Sequence, residues 1–212
     1  MKIYHYILIL LVALCTSMGA NAISRYDFPQ IIDLSKVPDG RKKQVSCFID
    51  QGSWMGFSVS DSLHKANGFR GPYSLYGRYW FAQALVEVID DSLSPTEVVY
   101  YPGELTMKKG GIKQRLQYLD ASTAMLQIIQ ANGKPLQIHS NNIGQDIRVS
   151  QQGHVSVLTH KTGEKVIVTL PRGSKVHCTQ KDYKATLPAG LKTINIGLSF
   201  ASSETPLKAL TS

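Results

Sequence analysis

The segment Thr193-Ile194-Asn195-Ile196-Gly197-Leu198-Ser199-Phe200 sets apolar and polar residues in strict alternation. A period of two puts Ile194, Ile196, Leu198 and Phe200 on one face of an extended strand, whereas a helix would scatter them around its axis. Lys165 to Leu170 repeats the pattern with Val166, Val168 and Leu170. Val155 and Val157 precede His160-Lys161-Thr162-Gly163, so these two segments read as a hairpin with a glycine-containing loop. Met125 to Gln130, then Asn132-Gly133, then Leu136-Gln137-Ile138 reads as a second hairpin, because Asn-Gly tolerates the positive φ of a type I′ turn. Gly110-Gly111, Gln152-Gly153, Arg172-Gly173 and Ala189-Gly190 mark further turns. Strands recurring about every 10 to 15 residues predict an all-β fold, an antiparallel β-sandwich. Arg78 to Ile89 has helix-like composition around Ala82, Ala84 and Leu85, yet it also alternates. The β-rich surroundings favour a strand with Ala82, Ala84, Val86 and Val88 on one side.

The first residues do not belong to that fold. Lys2, an apolar run from Ile7 to Cys15 and the small residues Ala20-Asn21-Ala22 form the pattern of a secretory signal peptide. We expect residues 1–22 to be removed after Ala22, which makes the chain periplasmic or secreted. The run is shorter than the roughly 20 residues a bilayer span requires, so no membrane association is expected after cleavage. Residues 23–201 then form one sandwich domain, and 202–212 a polar tail or the start of a linker to another domain. Loss of Lys2 lowers the formal charge from +8 to +7. The basic residues are spread from Arg25 to Lys208, with Arg41-Lys42-Lys43 the densest run. No basic stripe interleaved with aromatics appears, so a nucleic-acid partner is not expected.

Sites of known chemistry are scarce. Export leaves Cys47 and Cys178, which an oxidising compartment permits to bridge, or which remain two buried thiols. There is no CxxC and no HExxH, and the histidines are scattered singly, so we expect no metal and no cofactor. No GxSxG elbow, P-loop or Rossmann glycine pattern is present. Asp90-Asp91 sits just before Ser92, Ser94 and Pro95 and reads as a solvated turn. Glu104, Asp120 and Glu164 stand alone in sequence. No catalytic acid or base is nominated.

Residues 47 to 81 carry the functional interest. They hold Trp54, Phe57, Phe69, Tyr73, Tyr76, Tyr79, Trp80 and Phe81 among many glycines. Such rings either fill a core or lie flat against sugar faces or a partner surface. Trp54 stands between Gly52 and Gly56, where tight loops expose a ring. Arg70, within Gly68-Phe69-Arg70-Gly71, is suited either to bidentate hydrogen bonding of a hydroxyl-rich ligand or to a surface salt bridge.

The run Phe48-Ile49-Asp50-Gln51-Gly52-Ser53-Trp54-Met55-Gly56-Phe57, followed by Gly68-Phe69-Arg70-Gly71-Pro72, resembles the opening of the bacterial periplasmic α-glucosidases of glycoside hydrolase family 63. Asp50, Gly52, Trp54 and Gly56 match a D-x-G-x-W-x-G element, and Gly68, Phe69 and Gly71 match a G-F-x-G step. Pro102-Gly103 with Gln114-Arg115-Leu116, and then Asp120-Ala121-Ser122-Thr123, are similar to the turn and strands that follow. The resemblance implies a large N-terminal β-sandwich of an enzyme of α-glucosidic oligosaccharide metabolism. It places the chemistry in a C-terminal (α/α)6 barrel, where two acidic residues carry out inverting hydrolysis. None of that barrel is in these 212 residues. The implied role is therefore a non-catalytic domain, inactive alone, whose partner is the barrel. The alternative is a stand-alone exported carbohydrate-binding or protein-interaction module. Candidate sugar-contact or domain-interface residues are Asp50, Trp54, Phe69, Arg70 and Tyr73.

Overall fold

A computed structural model describes residues 32–38, 48–60, 62–63, 66–89 and 96–202. The expected signal peptide, Cys47, the Asp90-Asp91 turn and residues 203–212 lie outside the described residues. The described chain is almost entirely strand, with one 3₁₀ turn at Leu34–Lys36. In chain order the strands are β1 (Ile32–Asp33), β2 (Met55–Ser58), β3 (Arg70–Ser74), β4 (Tyr79–Trp80), β5 (Ala82–Val88) and β6 (Thr96–Tyr101). Then follow β7 (Glu104–Lys109), β8 (Ile112–Tyr118), β9 (Thr123–Gln130), β10 (Gln137–Ile143) and β11 (Ile147–Gln152). The last are β12 (Val155–His160), β13 (Lys165–Thr169), β14 (Lys175–Cys178), β15 (Tyr183–Thr186) and β16 (Thr193–Ala201). They form a nine-stranded sheet, β1-β6-β7-β8-β9-β16-β13-β12-β11, and a seven-stranded sheet, β14-β15-β10-β5-β3-β2 with β4 paired to β3. This is the expected all-β sandwich.

The strand with the cleanest alternation, β16, occupies the middle of the larger sheet between β9 and β13. Its Ile194, Ile196, Leu198 and Phe200 are all buried, as are Val166, Val168 and Leu170 on and just after β13. Facing them from the smaller sheet are Phe57, Phe69, Leu85 and Val86. Phe81 meets Phe200 edge-on across the two sheets, with ring centroids 6.4 Å apart. Each such aliphatic or aromatic side chain contributes roughly 1.5–3 kcal/mol when removed from water. Buried hydroxyls in this layer have partners: Tyr118 Oη donates to the carbonyls of Phe48 (3.0 Å) and Met55 (2.6 Å), and Tyr183 Oη donates to the carbonyl of Leu85.

Two sequence expectations need correction. Asn132-Gly133 does not close a hairpin. β9 pairs with β8 and β16 in one sheet, while β10 pairs with β5 and β15 in the other. The turn, with Gly133 at φ +61°, is a corner where the chain changes sheets. Arg78 to Ile89 does supply strands, β4 and β5, and Ala82, Val86 and Val88 lie together in the core, but Ala84 does not join them and Leu85 does. Along β5 the pairing to β10 slips, from His139 opposite Glu87 to Asn141 opposite Ala84. This bulge brings Leu85 into the core beside Val86, while Ala84 leaves the core cluster and lines an outer cleft. The sheet also contains one parallel pair, β3 with β5, in an otherwise antiparallel arrangement. The 160–163 hairpin forms as expected, with β12 and β13 antiparallel.

A buried polar cluster ties the sheets at one edge. The Glu164 carboxylate, 3% exposed, accepts hydrogen bonds from Ser74 Oγ (2.6 Å), Tyr79 Oη and Thr162 Oγ1 (3.2 Å). Thr162 Oγ1 also lies 2.8 Å from His160 Nδ1, and the His160 ring stacks on Tyr79 at 3.7 Å. Burial, then the hydrogen bond to Glu164, holds the Tyr79 phenol well above its ordinary range. Burial likewise lowers the pKa of His160, against the raising influence of Asp146 and Glu164.

Two outcomes follow for stability. A Cβ at Gly68 would stand 2.2 Å from the Val86 carbonyl oxygen and 3.1 Å from Glu87 Cα. Both are backbone, so Gly68→Ala should cost about 2 kcal/mol, read as a lower urea midpoint at unchanged slope. Because the folded state disfavours the His160 imidazolium, the unfolded chain takes up the proton first. Stability from this group is present above the ordinary value of 6.5 and is lost as pH falls below it. The urea midpoint should drop between about pH 7.5 and about pH 5.5, and His160→Gln should flatten that drop.

Candidate functional site

The two sequence elements of interest build opposite ends of one strand pair, β2 with β3. At the first, Gln51 (φ 54°) and Gly52 (φ 63°) both have positive φ, and the Ser53 amide donates to the Asp50 carbonyl at 3.0 Å. Two successive positive φ values are the mark of a type I′ turn, which explains a glycine here. The Asp50 carboxylate accepts the Gln51 amide at 2.8 Å, so it serves the turn itself. Trp54 emerges from this turn, its amide donating to Ala121 (2.8 Å) and its carbonyl accepting from Leu75 (3.0 Å). Its backbone is thus held from two sides while its ring stays 39% exposed. Tyr76, 46% exposed, meets it edge-on at 6.3 Å. Leu119 starts the turn that receives the Trp54 amide, and Ile49 follows the Phe48–Phe57 bridge beside β2. These four are all but one of the exposed large apolar residues among the described residues.

The second element opens β3. Pairing sets Gly56 opposite Tyr73 and Ser58 opposite Arg70. The Arg70 guanidinium carbon lies 4.8 Å above the Trp80 ring, and Tyr73 packs on Trp80 at 5.0 Å. Arg70 and Trp80 wall a cleft of about 720 Å³ in the outer face of the seven-stranded sheet. The cleft exists because small residues line it, namely Ala66, Gly68, Ala82, Ala84 and Gly144. Besides Arg70, Ser60 and Ser62, its polar groups are Gln83 and Glu87 on β5 and Asn141 and Asn142 on β10. Asn142 Nδ2 donates to Gln83 Oε1 (2.7 Å), and Asn141 Nδ2 donates to Glu87 Oε2 (3.0 Å). His139 Nε2 stands 3.2 Å from the same Glu87 oxygen.

Of the five candidates, Asp50 and Trp54 therefore meet at the turn end, Arg70 lines the cleft, and Tyr73 packs against Trp80 of the cleft wall. Phe69 is 4% exposed and faces the interior with Phe57 and Leu85. Sequence reading named Trp80 among the aromatics of interest but not among the candidates, and missed Gln83, Glu87, Asn141 and Asn142. The polar residues interrupting the apolar run of β5, and an Asn pair inside a strand, were the signs of them.

The carboxylates singled out in sequence have structural partners. Glu104, fully buried, accepts from Arg115 Nε (3.1 Å) and Nη2 (2.8 Å) and from Gln117 Nε2 (2.5 Å). Asp120 Oδ1 accepts the Ser122 amide at 2.7 Å, and Glu164 belongs to the cluster described above. Glu87 is the one carboxylate in the described lining of the cleft. Cys178 is a free thiol whose pKa is raised by burial, and Cys47, its candidate partner, lies outside the described residues. Among the described residues no three His, Cys, Asp or Glu side chains gather as metal ligands, and no helix is long and apolar enough to cross a membrane.

No protein-family model matches the chain, and no curated protein matches it. Among solved structures, the chain is similar to a mutant of the family 81 glycoside hydrolase from Clostridium thermocellum, with 15% identity and a TM-score of 0.46. The alignment covers 85% of this chain and 26% of that one, so this chain spans about a quarter of that enzyme's length.

Proposed function

We propose that this chain is the non-catalytic N-terminal sandwich of an exported glycoside hydrolase of the family 63 type, and that its Trp54 end packs against a catalytic (α/α)6 barrel. The observation that carries the reading is the exposed Trp54–Tyr76 pair, with the Trp54 backbone held by hydrogen bonds to Ala121 and Leu75. Preordered aromatic anchors of this kind are what interface hot spots are made of, because little side-chain entropy remains to be lost on docking.

The residues that carry the family resemblance support it further, since they are structurally one unit. A Cβ on Gly71 (φ +123°) would lie 3.0 Å from the Gly56 carbonyl oxygen and 3.2 Å from Phe57 Cδ1. The D-x-G-x-W-x-G run and the G-F-x-G step thus close on each other, and glycine is required where they do. Inverting hydrolysis needs an acid and a base about 6.5–9.5 Å apart across the sugar. Glu87 stands without a second carboxylate in the described cleft lining, so the chemistry is assigned to the barrel.

The test mixes the chain with the barrel of a family 63 α-glucosidase produced separately. Sedimentation should show one complex. Replacing Trp54 and Tyr76 together by Ala should weaken it roughly thirtyfold or more, as loss of about 2 kcal/mol at a hot spot implies. The chain alone should leave p-nitrophenyl α-glucoside intact. Turnover by the chain alone, or no association in the mixture, would sink the proposal.

A further inference from the structure

The outer cleft is a different place from the Trp54 end, and its chemistry points elsewhere. Arg70 Nε is buried and has no hydrogen-bond partner, although the guanidinium lies over the Trp80 ring, which Tyr73 in turn packs against. A guanidinium carries five donors and no acceptor, so a fixed one with an unused buried N–H is built for an acceptor the protein does not supply. Around it stand groups of the opposite and of mixed character. Glu87 accepts only, while the amides of Gln83, Asn141 and Asn142 both donate and accept.

That mixture selects the ligand. An anion would want donors alone, and Glu87 on the wall would repel it. An apolar ligand would leave Arg70 Nε unpaired and use none of the donor and acceptor capacity that remains beyond the Asn142–Gln83 and Asn141–Glu87 pairs. A nucleobase or other flat ring would need a free aromatic face, yet Trp80 has Arg70 above it and Tyr73 packed against it. Hydroxyl groups donate and accept at once, and a neighbouring pair of them spans a guanidinium edge or a carboxylate in bidentate fashion. The cleft volume of about 720 Å³ lies within the range of small-molecule sites. We infer that this cleft binds a neutral oligosaccharide, gripped by Arg70 and Glu87 and oriented by Gln83, Asn141 and Asn142. Recognition here runs through hydrogen bonds rather than ring stacking. It holds whether or not a barrel docks at the Trp54 end.

The chain has two tryptophans, so its indole N–H resonances report on both places separately. ¹⁵N-labelled protein is titrated at millimolar concentration with maltotetraose, cellotetraose, mannotetraose and, as the acidic comparison, tetragalacturonate. At least one neutral tetrasaccharide should shift the Trp80 indole signal with a saturable curve. Arg70→Met, which keeps an apolar stem over Trp80 but no N–H, should weaken that binding at least tenfold while the spectrum stays dispersed. Gln83→Ala, at an exposed position that leaves the fold untouched, should weaken it about threefold and serves if Arg70→Met does not fold. Response to none of the sugars, or to tetragalacturonate alone, overturns the inference. Shifts confined to the Trp54 indole, or unchanged affinity in the variant that folds, overturn it as well.

Discussion

The contact of two apolar sheet faces carries everything else in this protein. Leu116, Leu126 and Leu198 from the larger sheet meet Phe57, Phe69, Leu85 and Val86 from the smaller one, and Phe81 stands edge-on to Phe200. Close packing leaves that layer little freedom to shift. The bulge in β5 is part of the same contact, since it turns Leu85 and Val86 inward together. On the other side of the sheet, Ala84 stands outside the core cluster and in the lining of the cleft, where a small side chain leaves room. Core and cleft are thus two results of one irregularity.

The polar groups follow a similar logic of support. Glu164 is buried and satisfied by three hydroxyls, and it joins the β3–β4 corner of one sheet to the β12–β13 hairpin of the other. Glu104 is buried and satisfied by a bidentate arginine and a glutamine. Buried charges persist only when partnered in this way. The contrast with Arg70 is what gives that residue its meaning, because its buried Nε has been left open.

Much of the fold was legible in the residues. The alternation of Ile194, Ile196, Leu198 and Phe200 marks a strand that turns out to be the centre of the large sheet, and the His160–Gly163 loop closes the hairpin expected of it. Asn132-Gly133 misled for a physical reason. A turn residue reports the local backbone it tolerates, and positive φ at Gly133 serves a corner between sheets as well as it serves a hairpin. Of the site, Trp54 and Arg70 were visible as oddities among glycines. Phe69 was indistinguishable from them, since a ring for the core and a ring for a surface have the same composition around them. Asn141 and Asn142 sit some seventy positions from Arg70, and no local pattern links them.

By itself the sequence determined that the elements are strands and, for regular strands such as β13 and β16, the face that each buries, because period-two hydrophobicity acts over a few neighbouring residues. It also marked glycines the fold requires, Gly52 and Gly71 for positive φ and Gly68 for close backbone approach. Only the tertiary structure decided which strands pair, that β3 runs parallel to β5, and that a slip in β5 opens a cleft beneath Arg70 and Trp80. Those outcomes depend on contacts between distant segments, where the best burial of the whole chain outweighs any local preference.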